Sequence, residues 1–117
     1  MTRDEFDNYC SSLKSTTNVV QWRNSSVWKV GGKVFAIHSG NNKDDHKMST
    51  KCSELNYQIL LDLPGIHTAP YLKKGNRVQI TTKEAMNNED SMDYIKSSYE
   101  IIAGKLTKKL KAELGIK

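Results

Sequence analysis

A pair of glycines, Gly31 and Gly32, separates two runs of alternating apolar and polar residues, and no other feature constrains the fold as strongly. Two adjacent glycines supply the positive φ angles that a two-residue turn needs, and a strand pattern follows them where a nucleotide-binding loop would have a helix. The pattern therefore predicts a β-hairpin in which Trp28 lies opposite Phe35.

The register of this hairpin assigns each side chain to one of two faces. The predicted core face carries the larger apolar side chains, Trp28, Val30, Phe35 and Ile37, together with Lys33 near the turn. The predicted open face carries Val27, Lys29, Val34, Ala36 and His38. Trp22, which lies outside the alternation and next to Arg23, is the aromatic residue that we expect to be exposed.

Helical patterns flank the hairpin on both sides. Thr2 and Glu5 fit a capping box at the start of a first helix. Ser53 is a predicted N-cap of a second helix, and Asn88 is a predicted N-cap of one long last helix that continues through Leu110. Further alternating runs predict strands at 48–52 and 77–82, and an extended stretch that ends at Tyr71-Leu72. The order of these elements predicts an α+β fold, an antiparallel sheet covered on one face by helices.

Length and composition favour a single cytoplasmic domain spanning residues 1–117. No run of apolar residues approaches the roughly 20 needed to cross a bilayer, so we expect no membrane partner. Cys10 and Cys52 lie far apart and outside any CxxC motif, and we expect two reduced, buried thiols. A disulfide and a thiol nucleophile are the alternatives for this pair.

Motifs of catalysis and cofactor binding are missing from the sequence. It contains no phosphate-binding loop, dinucleotide fingerprint, HExxH motif or nucleophile elbow, so we expect neither an enzyme nor a cofactor. The one cluster that resembles a metal site, His38 and His46 with Asp44 and Asp45, matches no zinc spacing, and a solvated loop is favoured.

Basic residues are concentrated in two segments of a chain whose net charge is +5. Residues 29–83 hold nine basic and four acidic side chains, and residues 104–117 hold five lysines and one glutamate. Strand alternation places Lys29, Lys51 and Arg77 on the predicted open face. Cations on a sheet face can follow a phosphate backbone, and an ordinary solvated face is the alternative.

Several motifs resemble those of the YjbR/MmcQ family. Val27–Ala36 (VWKVGGKVFA) is similar to the family's V-x-K-V-x-G-K-x-F-A hairpin. Lys51-Cys52, Ala69-Pro70-Tyr71, Ser98-Tyr99 and Lys105-Leu106 follow in the family's order. The chain departs from the pattern at Asn76, where many members have Trp, and at Thr107, where Pro is usual. Without that proline, the last helix is expected to continue unbroken.

The resemblance implies a fold similar to that of the bacterial frataxin CyaY, with a double-wing arrangement that binds DNA, and it implies no enzymatic activity. The DNA-binding residues carried over from the family pattern are Lys29, Lys33, Lys51, Pro70, Tyr71, Lys73 and Lys74. Strand alternation adds Arg77. We expect a monomer that binds DNA weakly and with low sequence preference.

Two other functions are open at this point. The same face could meet an acidic protein partner or a small ligand instead of DNA. Iron handling by analogy to frataxin is the third possibility. The acids that could form an iron-binding ridge, Asp4, Glu5 and Asp7, are few, and helix capping accounts for them. Fold analogy alone is a poor basis for function.

Overall fold

The computed structural model describes residues 1–40, 46–69, 75–82 and 84–116. The helices are α1 (Arg3–Ser12), α2 (Glu54–Leu61), α3 (Asn88–Gly104) and α4 (Lys108–Leu114). The strands are β1 (Thr16–Gln21), β2 (Ser25–Val30), β3 (Lys33–His38), β4 (Met48–Lys51), β5 (Ile66–Thr68) and β6 (Arg77–Ile80). The predicted extended stretch at Tyr71-Leu72 lies outside the described residues.

The six strands form one sheet in the order β1-β2-β3-β4-β6-β5, and every described pair is antiparallel. Helices α1, α2 and α3 pack on the face that holds the main core, so the predicted α+β fold is confirmed. Within the described ranges, no helix has the length and apolar character needed to cross a membrane.

Side-chain caps define where the helices begin. The predicted capping box is present, because Thr2 Oγ1 accepts from the Glu5 backbone N–H and the Glu5 carboxylate accepts from that of Thr2. Ser53 caps α2 as predicted. The cap of α3 is Asn87 and not Asn88, since Asn87 Oδ1 accepts from the Asp90 backbone N–H at 2.7 Å. The prediction was wrong by one residue.

The expected single last helix is two helices. Helix α3 ends at Gly104, and α4 begins at Lys108 after Thr107 adopts an extended backbone. The Thr107 hydroxyl accepts from the Leu110 backbone N–H at 3.2 Å. Threonine is a good N-cap because its hydroxyl satisfies a free donor of the first turn. A capping threonine therefore starts a new helix here without the proline of the family pattern.

The core lies between the sheet and the helices. Its buried members include Phe6, Trp28, Val30, Phe35, Ile95 and Ile102. The Phe35 and Tyr99 rings meet edge to face, with centroids 5.4 Å apart. Cys10 and Cys52 are buried and free, as predicted. Trp22 is 55% exposed, which confirms that prediction too.

A β-bulge changes the predicted register of the hairpin. Lys29 lies opposite Val34, but Trp28 lies opposite Ala36, so Phe35 is an extra residue in β3. Beyond the bulge every side chain of β3 therefore changes face. Ala36 and His38 point to the helices, whereas Ile37 pairs with Val27 on the other face. These three assignments in the predicted hairpin were wrong.

His38 is a core residue and not an open-face residue. Its ring is fully buried against Phe6, with the ring centroids 5.3 Å apart. Nδ1 of His38 accepts from the Gly40 backbone N–H at 3.1 Å, so Nε2 is the protonated nitrogen and donates to the Met1 carbonyl at 3.0 Å. Burial lowers the pKa of His38. Of the four residues that resembled a metal site in the sequence, Asp44 and Asp45 lie outside the described residues, and the described residues contain no group of three or more His, Cys, Asp or Glu side chains that could hold a metal ion.

Candidate nucleic-acid interface

Antiparallel topology gathers the cations at one end of the sheet. The turn at Gly31-Gly32, the last residue of β4 and the first residue of β6 all lie at this end, because Lys51 pairs with Arg77 and Val30 pairs with Lys33. Helix α3 also ends here, since the Leu106 side chain contacts Gly31. The residues that define this basic end are Lys29, Lys33, Lys51, Arg77 and Lys105.

Lys51 is the partly buried centre of the basic end. Its Nζ donates to the Gly75 carbonyl at 2.7 Å. Burial lowers the pKa of Lys51, and the positive charges of Lys105 and Arg77 lower it further. Like charges that depress a neighbour's pKa repel one another in the folded protein. A bound anion would relieve this repulsion.

Arg77 also contacts the backbone of the bulge. Its Nη2 donates to the Val34 carbonyl at 3.0 Å, reaching from β6 past β4 to β3. Burial lowers the pKa of Arg77. A bulge leaves a backbone group without its hydrogen-bond partner on the neighbouring strand. Here the Arg77 guanidinium supplies a hydrogen bond to one such group, the Val34 carbonyl. Arg77 therefore has a structural role in addition to its charge.

A buried hydroxyl completes the bulge. Ser98 Oγ accepts from the Lys51 backbone N–H at 2.9 Å and donates to the Phe35 carbonyl at 2.6 Å. The Ser98 hydroxyl thus bridges the Lys51 N–H of β4 and the Phe35 carbonyl of β3 at the extra residue. Sequence reasoning noted Ser98 as part of a family motif and did not assign it this position.

The outer part of the basic end is accessible. Lys33 and Lys105 are exposed, and Lys29 is partly exposed. A Cβ atom on Gly31 would lie 2.7 Å from Leu106 Cδ1, so the hairpin turn sits directly against the segment between α3 and α4. Lys108 and Lys109 of α4 are exposed next to this contact. The two basic segments of the sequence therefore meet in space.

The centre of the predicted open face is buried and not exposed to solvent. The row that crosses it pairs Val27 with Ile37 and Ile37 with Ser49, and all three are buried. In the part of the chain that the structure describes, this central row therefore carries no cation, and the predicted binding cations lie at one end of the face. Of the eight predicted DNA-binding residues, the structure describes Lys29, Lys33, Lys51 and Arg77 and brings them to that end. Pro70, Tyr71, Lys73 and Lys74 lie outside the described residues.

Lys105 was not among the predicted binding residues. The sequence placed it in a basic C-terminal run, separate from the hairpin lysines. Its effect on the pKa of Lys51 shows that the two ammonium groups are neighbours. The tight packing of Gly31 against Leu106, which brings them together, has no local sequence signal.

Acidic side chains lie at the opposite end, where α1 and α3 begin. Asn88 Nδ2 donates to Glu5 Oε2 at 2.6 Å, which joins the two helix starts. Acids in a first turn are stabilised by the positive end of the helix dipole. The acids of these first turns therefore lie at the end of the strands opposite the basic end, where Arg3, Arg23 and Lys47 are also found.

Comparison with known proteins identifies the family. A family model described as YjbR matches residues 11–101. The chain belongs to the YjbR family. A crystal structure of the Deinococcus radiodurans protein DR2400, with the domain DUF419, matches with a TM-score of 0.88 and 22% identity over 99% of this chain and 89% of that one. A search of curated proteins found no match.

A protein from Pseudomonas syringae also has this fold. Its crystal structure matches with a TM-score of 0.69 and 16% identity over 87% of this chain and 99% of that one. At such identities the structural likeness establishes the fold alone. The basic end must therefore be judged by its own geometry.

Proposed function

We propose that this YjbR protein binds duplex DNA through phosphate contacts at the basic end. The observation that carries the proposal is the crowding of Lys105 and Arg77 around Lys51, which pairs with Arg77 across β4 and β6 and whose positive charge both neighbours disfavour. Backbone hydrogen bonds from Lys51 and Arg77 help to hold the fold, but the repulsion between their charges works against it, and a polyanion would be attracted by those charges.

The spread of the cations suits a duplex better than a single small anion. They are carried by β2, β3, β4, β6 and the end of α3. Four adjacent strands span roughly 14 Å at the usual strand spacing. A duplex presents about eight phosphate charges over that length of its axis, counting both strands. Several of these could be neutralised at once.

The chemistry of the contacts predicts little sequence preference. Lysine ammonium groups bind phosphate oxygens as point charges and read no base edges. The five residues that define the basic end include no aromatic ring, and of the rings near them Phe35 is buried, while Tyr99 is partly buried and donates its hydroxyl to the Lys14 carbonyl at 2.6 Å. Base stacking, which supports single-strand binding, is therefore not favoured there.

Binding without catalysis is part of the proposal. The buried titratable groups Cys10, Cys52 and His38 have pKa values shifted chiefly by burial in the core. Catalytic groups are expected in a cleft within reach of a substrate. The perturbed groups are thus explained by packing.

Anisotropy titration of labelled duplex DNA at several salt concentrations tests the proposal. The informative variant is Lys33→Ala combined with Lys105→Ala. Lys51 and Arg77 are left unchanged because their side chains donate hydrogen bonds to the protein's own backbone, and replacing them could alter the fold. Losing two phosphate contacts should reduce the slope of log K against log salt by about 1.8 and weaken binding by about tenfold or more at 0.1 M salt. The effect should be the same for unrelated duplex sequences.

A matched control removes two exposed lysines elsewhere, with Lys47→Ala and Lys96→Ala. This variant has the same net charge as the test variant, so equal losses in both would show that net charge alone attracts DNA. The proposal fails in that case, and also if the unmodified protein shows no salt-sensitive affinity for duplex DNA. Equally tight binding of polyglutamate would indicate an acidic protein partner instead.

A further inference from the structure

Helix α2 carries a continuous apolar stripe that its own fold does not cover. Leu55 is 67% exposed, Ile59 is 51% exposed and Leu63, just beyond the helix, is 42% exposed. Residues four apart lie on one side of a helix, so Leu55 and Ile59 form a row on α2, and Leu63 follows just after the helix ends. Scattered exposed leucines are ordinary, but a contiguous aliphatic row marks an interaction surface.

An acidic cleft borders this stripe. A cavity of about 380 Å³ separates α2 from α3 and is lined by Asn56, Asp90, Asp93, Tyr94 and Ser97. Asn56 directly follows Leu55 in α2, so one wall of the cleft and the apolar stripe belong to the same helix, and the cleft and the stripe together are named the groove. Asp90, Asp93 and Ser97 recur at helical spacing and form the opposite, acidic wall.

We propose that this groove binds a basic amphipathic helix of another protein. Aliphatic residues of the partner, spaced four apart, would cover Leu55 and Ile59, and flanking Lys or Arg side chains would meet Asp90 and Asp93. The inference does not depend on DNA binding, since it concerns a different surface with the opposite charge.

Charge complementarity identifies the class of partner. The whole chain has a net charge of +5, which opposes approach of another cation. A basic partner therefore needs a local acidic surface that attracts it. Asp90 and Asp93 form such a surface beside the apolar stripe. The basic helix α4 of a second copy is a poor occupant, because its inner leucines pack against its own core.

A designed peptide can test the groove directly. The probe is an amphipathic helix of leucine and lysine with leucines at every third or fourth position, and its control is a scrambled peptide of the same composition. Peptide is titrated into isotope-labelled protein, and backbone amide shifts are followed by NMR. We expect the helical probe to shift amides of α2 and the first half of α3 and to bind at least about tenfold tighter than the scrambled peptide.

Variants of both walls separate the groove from other surfaces. Ile59→Lys and the pair Asp90→Asn with Asp93→Asn should each weaken probe binding by about tenfold or more. The matched control is Val20→Lys on β1, a residue 53% exposed and distant from the groove, and it should bind as the unmodified protein does. Circular dichroism confirms that each variant is folded.

Four outcomes of the peptide titration would overturn the proposal. They are the absence of probe binding, equal binding of the scrambled peptide, unchanged binding by Ile59→Lys, and amide shifts confined to the basic end. A concentration-dependent dimer that Ile59→Lys abolishes would also overturn it, because a second copy would then be the occupant. Each outcome leaves the salt-dependent DNA titration unaffected, so the two proposals fail independently.

Discussion

Replacing Ser98 with alanine tests how the bulge in β3 is held. The hydroxyl is fully buried, and it contacts both the Lys51 backbone N–H and the Phe35 carbonyl. Without it, two backbone groups lose their partners at once. An unsatisfied buried polar group costs about 1–3 kcal/mol, and Lys51 is partly accessible to water, so we expect a loss of about 2–4 kcal/mol.

A loss of this size is large against the total stability of a small domain, which is about 5–15 kcal/mol. Urea denaturation should show a lower midpoint with an unchanged slope, because the same surface is exposed on unfolding. Amide hydrogen exchange supplies the local evidence. Exchange at the Lys51 N–H should accelerate by more than the global loss of stability explains.

Ser97→Ala is the control, since it makes the same substitution on the same helix at a partly exposed position. Alanine favours helix over serine by a few tenths of a kcal/mol, so this variant should be neutral or slightly more stable. The reasoning is refuted if Ser98→Ala destabilises no more than Ser97→Ala does. It is also refuted if Lys51 exchange is unchanged.

Two further predictions concern stability. Burial lowers the folded-state pKa of His38, so stability is complete above the unfolded pKa of about 6.5 and falls as pH drops below it, and urea midpoints for His38→Gln should lack this fall. Gly31 and Gly32 both have positive φ, but only at Gly31 would a Cβ atom meet a leucine side chain, so Gly31→Ala should lower the midpoint more than Gly32→Ala.

Local chemistry explains what the sequence could predict. The capping box at Thr2 and Glu5, the cap at Ser53 and the turn at Gly31-Gly32 each depend on residues within a few positions of one another. Their side chains or backbone freedom determine the structure there without help from the rest of the chain. Those elements were therefore confirmed.

Contacts between residues far apart in the sequence explain the features that the sequence could not predict. The bulge at Phe35 depends on Ser98, 63 residues away, and on Arg77, whose partner Val34 is 43 residues away. An ideal register was the natural prediction for a two-glycine hairpin, and it placed Ile37 and His38 on the wrong faces. The same limit applies to the candidate site, where Lys105 joins Lys51 only after α3 has packed against the sheet.

The two ends of the molecule differ in how far folding accounts for their charges. Acids at the starts of α1 and α3 complement helix dipoles, and Glu5 also caps α1 and accepts a hydrogen bond from Asn88. Their positions would be favoured in a protein with no ligand. At the basic end Lys51 loses hydration and faces Lys105 and Arg77, so its charge disfavours the fold. A feature that folding disfavours is better explained by a ligand, and the basic end is therefore the part of this protein where function should be sought first.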